Sequence, residues 1–170
     1  MSSSSDFVTR VTTIDIAGRE DAEAILQLQR LAYQAEAELY QDWNIPPLKE
    51  SLRELLAEFD RQVFLKAMCG DSPRIVGSVR ARMQNGVCSI GRLIVHPDYQ
   101  GRGIGSALVC RVERQFAQAH HFELFTGCRS SRNLSLYQRL GYAPVREQKL
   151  SDKVTLVFLQ KPACGKAAPA

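Results

Sequence analysis

Gly101, Gly103 and Gly105 stand at alternate positions in the stretch His96-Pro97-Asp98-Tyr99-Gln100-Gly101-Arg102-Gly103-Ile104-Gly105-Ser106, directly after the apolar run Leu93-Ile94-Val95. A glycine loop that opens a helix presents backbone N–H groups with no intrahelical partner, and the helix dipole adds partial positive charge at the same point. Phosphate oxygens fit such a site, because the missing Cβ atoms permit both a left-handed backbone and a close approach. Spacing alone leaves a second reading open, a tight strand-to-helix turn that holds no ligand.

The identity of the phosphate is narrowed by what the loop lacks. A nucleotide-hydrolysing P-loop needs a Lys followed by Ser or Thr after its last glycine, whereas Gly105 is followed by Ser106-Ala107. The dinucleotide fingerprint is G-x-G-x-x-G with an acidic ribose clamp at the end of the next strand; this loop reads G-x-G-x-G, and Glu123 begins that strand instead of ending it. Other reactive types form no site. His96, His120 and His121 lack metal-ligand spacing, and His96 reads as a strand-end residue before a Pro-containing turn. Cys69, Cys88, Cys110, Cys128 and Cys164 are an odd set without a C-x-x-C pair, so no metal and no disulfide framework are expected. Cys88 and Cys110 read as small buried apolar residues, and Cys128 has no paired base in sequence.

The frame around the loop is that of an ordinary globular chain. Its 170 residues, 45% hydrophobic and 24% charged, suit one domain with its own core. A net charge of +4 with interleaved signs is too mild to imply nucleic acid. No stretch approaches the roughly 20 apolar residues that would span a bilayer, and the Ser-rich start has no apolar signal core. No membrane or secretory role is expected, and the cysteine pattern suits a reducing cytoplasm. Disorder is expected over 1–6, one domain over 7–161 and a flexible tail over 162–170.

The elements that position the loop follow from periodicity. Residues 8–16 alternate as a strand, and Ile25, Leu28, Ala32, Ala35 and Leu39 recur at helical spacing until Pro46-Pro47 breaks the helix. Leu48, Leu52, Leu55, Leu56 and Phe59 mark a second helix. Strands are expected over 63–68 and 75–83, the latter setting Val79, Ala81 and Met83 opposite Arg80 and Arg82. Asn85-Gly86 signals a hairpin into 87–95. Ile104, Leu108, Val112 and Phe116 give the helix after the loop its buried face. Strand 122–126 then returns parallel to 87–95, a short helix spans 132–140, and a hairpin of 142–150 with 154–161 ends the chain. The sheet is therefore mixed.

Two spaced blocks carry a family resemblance. Gln100-Gly101-Arg102-Gly103-Ile104-Gly105 resembles the Q/R-x-x-G-x-G/A acetyl-CoA signature of the GCN5-related N-acetyltransferases (GNAT). Ser131 to Tyr142, SRNLSLYQRLGY, resembles that family's later N-x-x-x-x-Y-x-x-x-G-F/Y element, with Asn133, Tyr137 and Gly141 in register. The resemblance implies a single-domain α/β fold: a mixed, mostly antiparallel sheet, helices on both faces, and a splayed cleft for acetyl-CoA.

Residue roles follow from the same resemblance. Leu93, Ile94 and Val95 would lie along the pantetheine arm, with backbone groups of Leu93 and Val95 pairing with its amides. Gln100, Gly101, Arg102, Gly103, Ile104, Gly105 and Ser106 would surround the pyrophosphate. Asn133 would hydrogen-bond the cofactor near its pantetheine end, and Tyr137 would protonate the leaving thiolate. Many relatives carry a Glu on the strand before the loop, but 87–95 holds Ser89, Gly91 and Arg92 and no carboxylate, which points to a base relayed through water. The acidic and aromatic segment with Tyr33, Glu36, Glu38, Tyr40, Asp42 and Trp43 would line the acceptor pocket and suit a cationic amine. The expected activity is transfer of acetyl from acetyl-CoA directly to a primary amine of a small molecule or peptide. A non-catalytic acyl-CoA-binding module on the same fold is the alternative, a dinucleotide enzyme the third reading. The C-terminal hairpin offers an edge for a homodimer.

Overall fold

Alternating side chains and helical periods carry the chain through β1 (Thr12–Ile16), α1 (Ala22–Ala32), α2 (Gln34–Tyr40), α3 (Pro46–Lys49), α4 (Leu52–Glu58), β2 (Val63–Cys69), β3 (Ile75–Gln84), β4 (Val87–Val95), α5 (Ile104–Gln115), β5 (His121–Gly127), α6 (Ser131–Arg139), β6 (Ala143–Lys149) and β7 (Thr155–Pro162). The structure, a computed structural model, describes residues 12–70 and 74–165. The expected disorder at 1–6, positions 8–11 of the first strand, 71–73 of the turn before β3 and 166–170 of the tail lie outside the described residues.

One sheet runs in the order β1-β2-β3-β4-β5-β7-β6. Every neighbouring pair is antiparallel except β4 with β5. Helices cover both faces: Phe64, Ile75 and Ile94 pack with α1 and α4, while Leu65, Ala67 and Val79 pack with α5, Tyr137 and Tyr142. Adjacent residues of β2 thus point to opposite cores, as the two-residue strand period requires. Asn85 and Gly86 turn the β3–β4 hairpin with φ of 51° and 79°, the pair of positive values the dipeptide favours.

The cleft arises where β4 and β5 part. They pair only from Val87 with His121 to Ser89 with Glu123. Beyond that point β5 stays on β7 through Gly127 and β4 stays on β3 through Val95. The β3–β4 register moves from Ser78 with Ile94 to Arg80 with Gly91, so β4 carries one extra residue there. Arg92 occupies the bulge with a left-handed φ of 50°. A bulge bends its strand and re-aims a side chain, here at the mouth of the cleft.

Several expectations are corrected. The first long helix is two, α1 and α2, joined at Tyr33, and this shifts the helical phase: Ala37 and Tyr40 are buried while Ala35 and Leu39 are exposed. Gln41 in the left-handed region ends α2. Pro46-Pro47 opens α3 rather than breaking a helix, because proline lacks only an N–H that the first turn leaves unpaired anyway. Ser51 then caps α4 in a reciprocal box with Glu54. Cys110 is exposed whereas Cys88 is buried. Arg80 is buried, and the Ala163 N–H donates to His120 O.

Candidate functional site

The glycine loop divides by conformation. Gly101 and Gly103 have φ of 74° and 80°, a region that costs any residue with a Cβ, and a Cβ at either would meet nothing within 4 Å. Their requirement is conformational, not spatial. Gly105 is already inside α5, where a Cβ would come within 3.4 Å of Leu136 Cδ2. Among the described residues no side chain caps α5, so the amides of its first turn are left for an anion. His96 shapes the approach: it is buried, and its Nδ1 accepts from Asp98 N at 3.1 Å.

A cavity of about 610 Å³ lies over this loop. Leu93, Ile94, Val95, Gln100, Gly101, Gly103, Ile104, Gly105, Ser106 and Asn133 line it. Arg102 does not. Its Nη2 donates to Asp98 O at 3.1 Å and its guanidinium stacks 4.8 Å from the Tyr99 ring centre, so it braces the loop from outside. The cations that do line the cavity are Arg129, Arg132 and Arg139. Gln100 spans it, donating to Val95 O at 3.2 Å and accepting from Arg132.

A second cavity of about 320 Å³ opens beside the first, walled by α2, the α3 turn, the outer half of β4, β5 and α6. Tyr33, Glu36, Leu93 and Asn133 line both, so the two cavities meet there. Tyr40 and Tyr137 line the smaller one. Trp43 lines neither and is 53% exposed in the turn after α2; Glu38 also faces solvent, and Asp42 accepts from Asn44 N at 2.9 Å. Of the three expected acids, the fold brings only Glu36 to the site.

Glu36 is held by a relay that long sequence separation hides. Arg129 N donates to the Tyr40 hydroxyl at 2.8 Å, that hydroxyl lies 3.3 Å from Ser130 Oγ, and Ser130 Oγ donates to Glu36 Oε1 at 2.8 Å. Asn133 Nδ2 donates to Thr126 Oγ1 at 3.2 Å and to Glu36 Oε1 at 3.4 Å. Gly127 keeps Tyr40 in place, since a Cβ there would run into the phenol oxygen. Gly127→Ala is therefore expected to displace Tyr40 and to lower stability by about 1–3 kcal/mol, the usual cost of overpacking. Urea unfolding of the variant measures this.

Tyr137 is 6% exposed, and burial, with the charges of Tyr33 and Glu36, pushes its phenol well above the ordinary value of 10.0. Tyr142 is raised too, by burial and by Glu113, whose Oε1 accepts from its hydroxyl at 2.9 Å. Both groups are raised in the folded state, so their stabilisation is complete below pH 10.0 and is lost as the unfolded chain ionises above it. Each is expected to cost about 1.4 kcal/mol per pH unit in the alkaline range. Urea midpoints at pH 8, 10 and 11 should stay level and then fall; a level response to pH 11 would refute the assignment.

Among the described residues no group of three or more His, Cys, Asp or Glu could hold a metal ion, and no helix is long and apolar enough to cross a membrane.

Comparison with known proteins agrees with this geometry. Residues 22–142 match the model of the acetyltransferase (GNAT) family. The UPF0157 protein YqkA of Bacillus subtilis is 27% identical over 135 residues, 79% of this chain, and this match spans only 38% of YqkA. The acetyltransferase ECA0875 of Pectobacterium atrosepticum is 30% identical over 134 residues, covering 78% of this chain and 88% of that protein. Among solved structures, the PaiA N-acetyltransferase of Thermoplasma acidophilum in complex with coenzyme A superposes with a TM-score of 0.73 at 19% identity, over 89% of this chain and 99% of that one. With the parted β4 and β5, the uncapped helix behind two left-handed glycines and a family match over most of the described chain, this protein belongs to the acetyltransferase (GNAT) family.

Proposed function

We propose that the protein transfers acetyl from acetyl-CoA directly to a primary amine. The observation that carries this reading is the meeting of the two cavities at Tyr33, Glu36, Leu93 and Asn133, with Tyr137 lining the smaller one. The larger cavity suits the cofactor: first-turn amides of α5 for pyrophosphate, Arg129, Arg132 and Arg139 for further phosphate charge, and the open edge of β4 at Leu93 and Val95 for the pantetheine amides. The smaller takes the acceptor.

Within that site, Glu36 accepts the amine's proton through water, and Tyr137 protonates the departing thiolate. Because transfer is direct, Cys128 has no part in it. The outer strand β6 is exposed along its whole length, which supports pairing with a second copy.

Binding is tested by melting. Acetyl-CoA at about 100 times its Kd should stabilise the protein by about 2.7 kcal/mol and raise Tm by about 5–10 °C. Gly103→Val should lose most of that rise, because the left-handed loop it sits in is disfavoured with a branched side chain. A rise with NAD but none with acetyl-CoA would contradict the reading.

A further inference from the structure

The smaller cavity is built for two charges of opposite sign. Glu36 lines it. Arg92, brought there by the β4 bulge, also lines it, with its guanidinium carbon 6.0 Å from the Tyr33 ring centre. Arg92 Nε is buried and meets no acceptor among the described residues. Glu50 does not neutralise it, because both of its carboxylate oxygens are engaged by Arg80 and Gln29. Arg92 thus adds a second guanidinium near Arg80, whose charge is opposed by those of Glu50 and Glu58, and Arg92 itself lines the cavity. Tyr33 lies close to both charges and hydrogen-bonds Arg92, and the cavity's apolar lining includes Ile45, Ile90, Leu93, Phe125 and Leu156.

We infer that the acceptor carries a carboxylate beside its amine: a free α-amino acid with an apolar side chain. This rests on the transferase reading above. Arg92 pairs with the carboxylate, Glu36 draws the amine, and the apolar walls take the side chain. A polyamine would set a second cation against Arg92, and a peptide N-terminus has no α-carboxylate beside its amine. A cavity of about 320 Å³ is small but adequate for such a ligand. In the transfer, the amine nitrogen bonds to the acetyl carbon as the carbon–sulfur bond breaks. The amine's proton goes through water to Glu36, and Tyr137 protonates the thiolate. Solvent then restores both groups, so protons balance.

The test is thiol release from acetyl-CoA with leucine, methionine and phenylalanine against leucinamide and spermidine. The unmodified protein should use leucine over leucinamide by about 10²-fold in kcat/KM, the loss expected when a buried charged group is denied its partner. Arg92→Met should erase that preference while leaving the KM for acetyl-CoA unchanged. Equal use of leucine and leucinamide, or acetylation of spermidine alone, would overturn the inference and leave the transferase reading intact. Thiol release with none of these or any other amine would overturn both. The leucine and leucinamide comparison needs no variant, so a misfolded Arg92→Met does not weaken it.

Discussion

Replacing Tyr137 with phenylalanine is expected to lower kcat by about 10²- to 10³-fold, within the range that loss of a general acid produces. The KM for acetyl-CoA should change little, since the proton is needed only as the thiolate leaves. The expectation is not that of an easy acid. A free phenol near pKa 10 is already about 2 kcal/mol uphill as donor to a thiolate near 8.5, and burial raises the Tyr137 phenol further. The same burial penalises the thiolate that forms beside it, so the two groups rise together and donation concerted with carbon–sulfur cleavage avoids a free charge on either. Burial also ensures that Tyr137 keeps its proton across the working pH range. The phenylalanine variant keeps the buried ring and removes only the hydroxyl, so it should fold with an unchanged Tm. A variant retaining full turnover would remove Tyr137 from the chemistry.

Glu50→Ala should be the most damaging single change to the fold. The Arg80 side chain is 8% exposed and that of Glu50 11%, and they pair at 3.2 Å. Burial lowers the Arg80 pKa from its usual value, and the charge of Glu50 is the largest effect opposing this. Without Glu50 the buried guanidinium is left beside Arg92, a like charge, at an expected cost of about 3–5 kcal/mol and about 6–20 °C in Tm. Glu50 also accepts from Gln29 Nε2 at 2.8 Å, and the same nitrogen donates to Pro47 O at 3.0 Å, which sets the α3 wall of the smaller cavity. Acceptor KM should therefore rise in any folded fraction. A double variant, Glu50→Leu with Arg80→Met, should recover most of the stability, because it removes both charges instead of one. A Glu50→Ala protein with unchanged Tm would show that the pair contributes nothing.

The parts legible in the sequence were those written locally. Asn85-Gly86 needs positive φ at both positions, and the Gly101 to Ser106 stretch needs bare backbone where β4 gives way to α5, so their residue types announce their conformations. The parting of β4 and β5 followed from the family resemblance. Arg92 was read only as the absence of a carboxylate, because a one-residue bulge leaves no mark in an apolar run; its cavity position depends on register with β3. The strand period set Arg80 opposite Val79 and Ala81 but could not show its buried pairing, because its partner Glu50 is 30 positions away. The Tyr40, Ser130 and Glu36 relay spans 90 positions or more, beyond any local period. The kink at Tyr33 broke the helical phase, which is why Leu39 turned from expected core to cleft wall and Trp43 fell outside the site. Arg102 had the right loop but folded back on Tyr99, while the cations over the cavity came from α6 and the turn before it.

The most direct test of the account is to incubate the protein with acetyl-CoA and a pool of amines and measure free thiol and N-acetylated product together. Direct transfer predicts one thiol for each acetylated amine, no acetylated protein, and a rate that falls in parallel in Tyr137→Phe. Tight acetyl-CoA binding with no thiol released for any amine would contradict it and identify a binding module on the same fold.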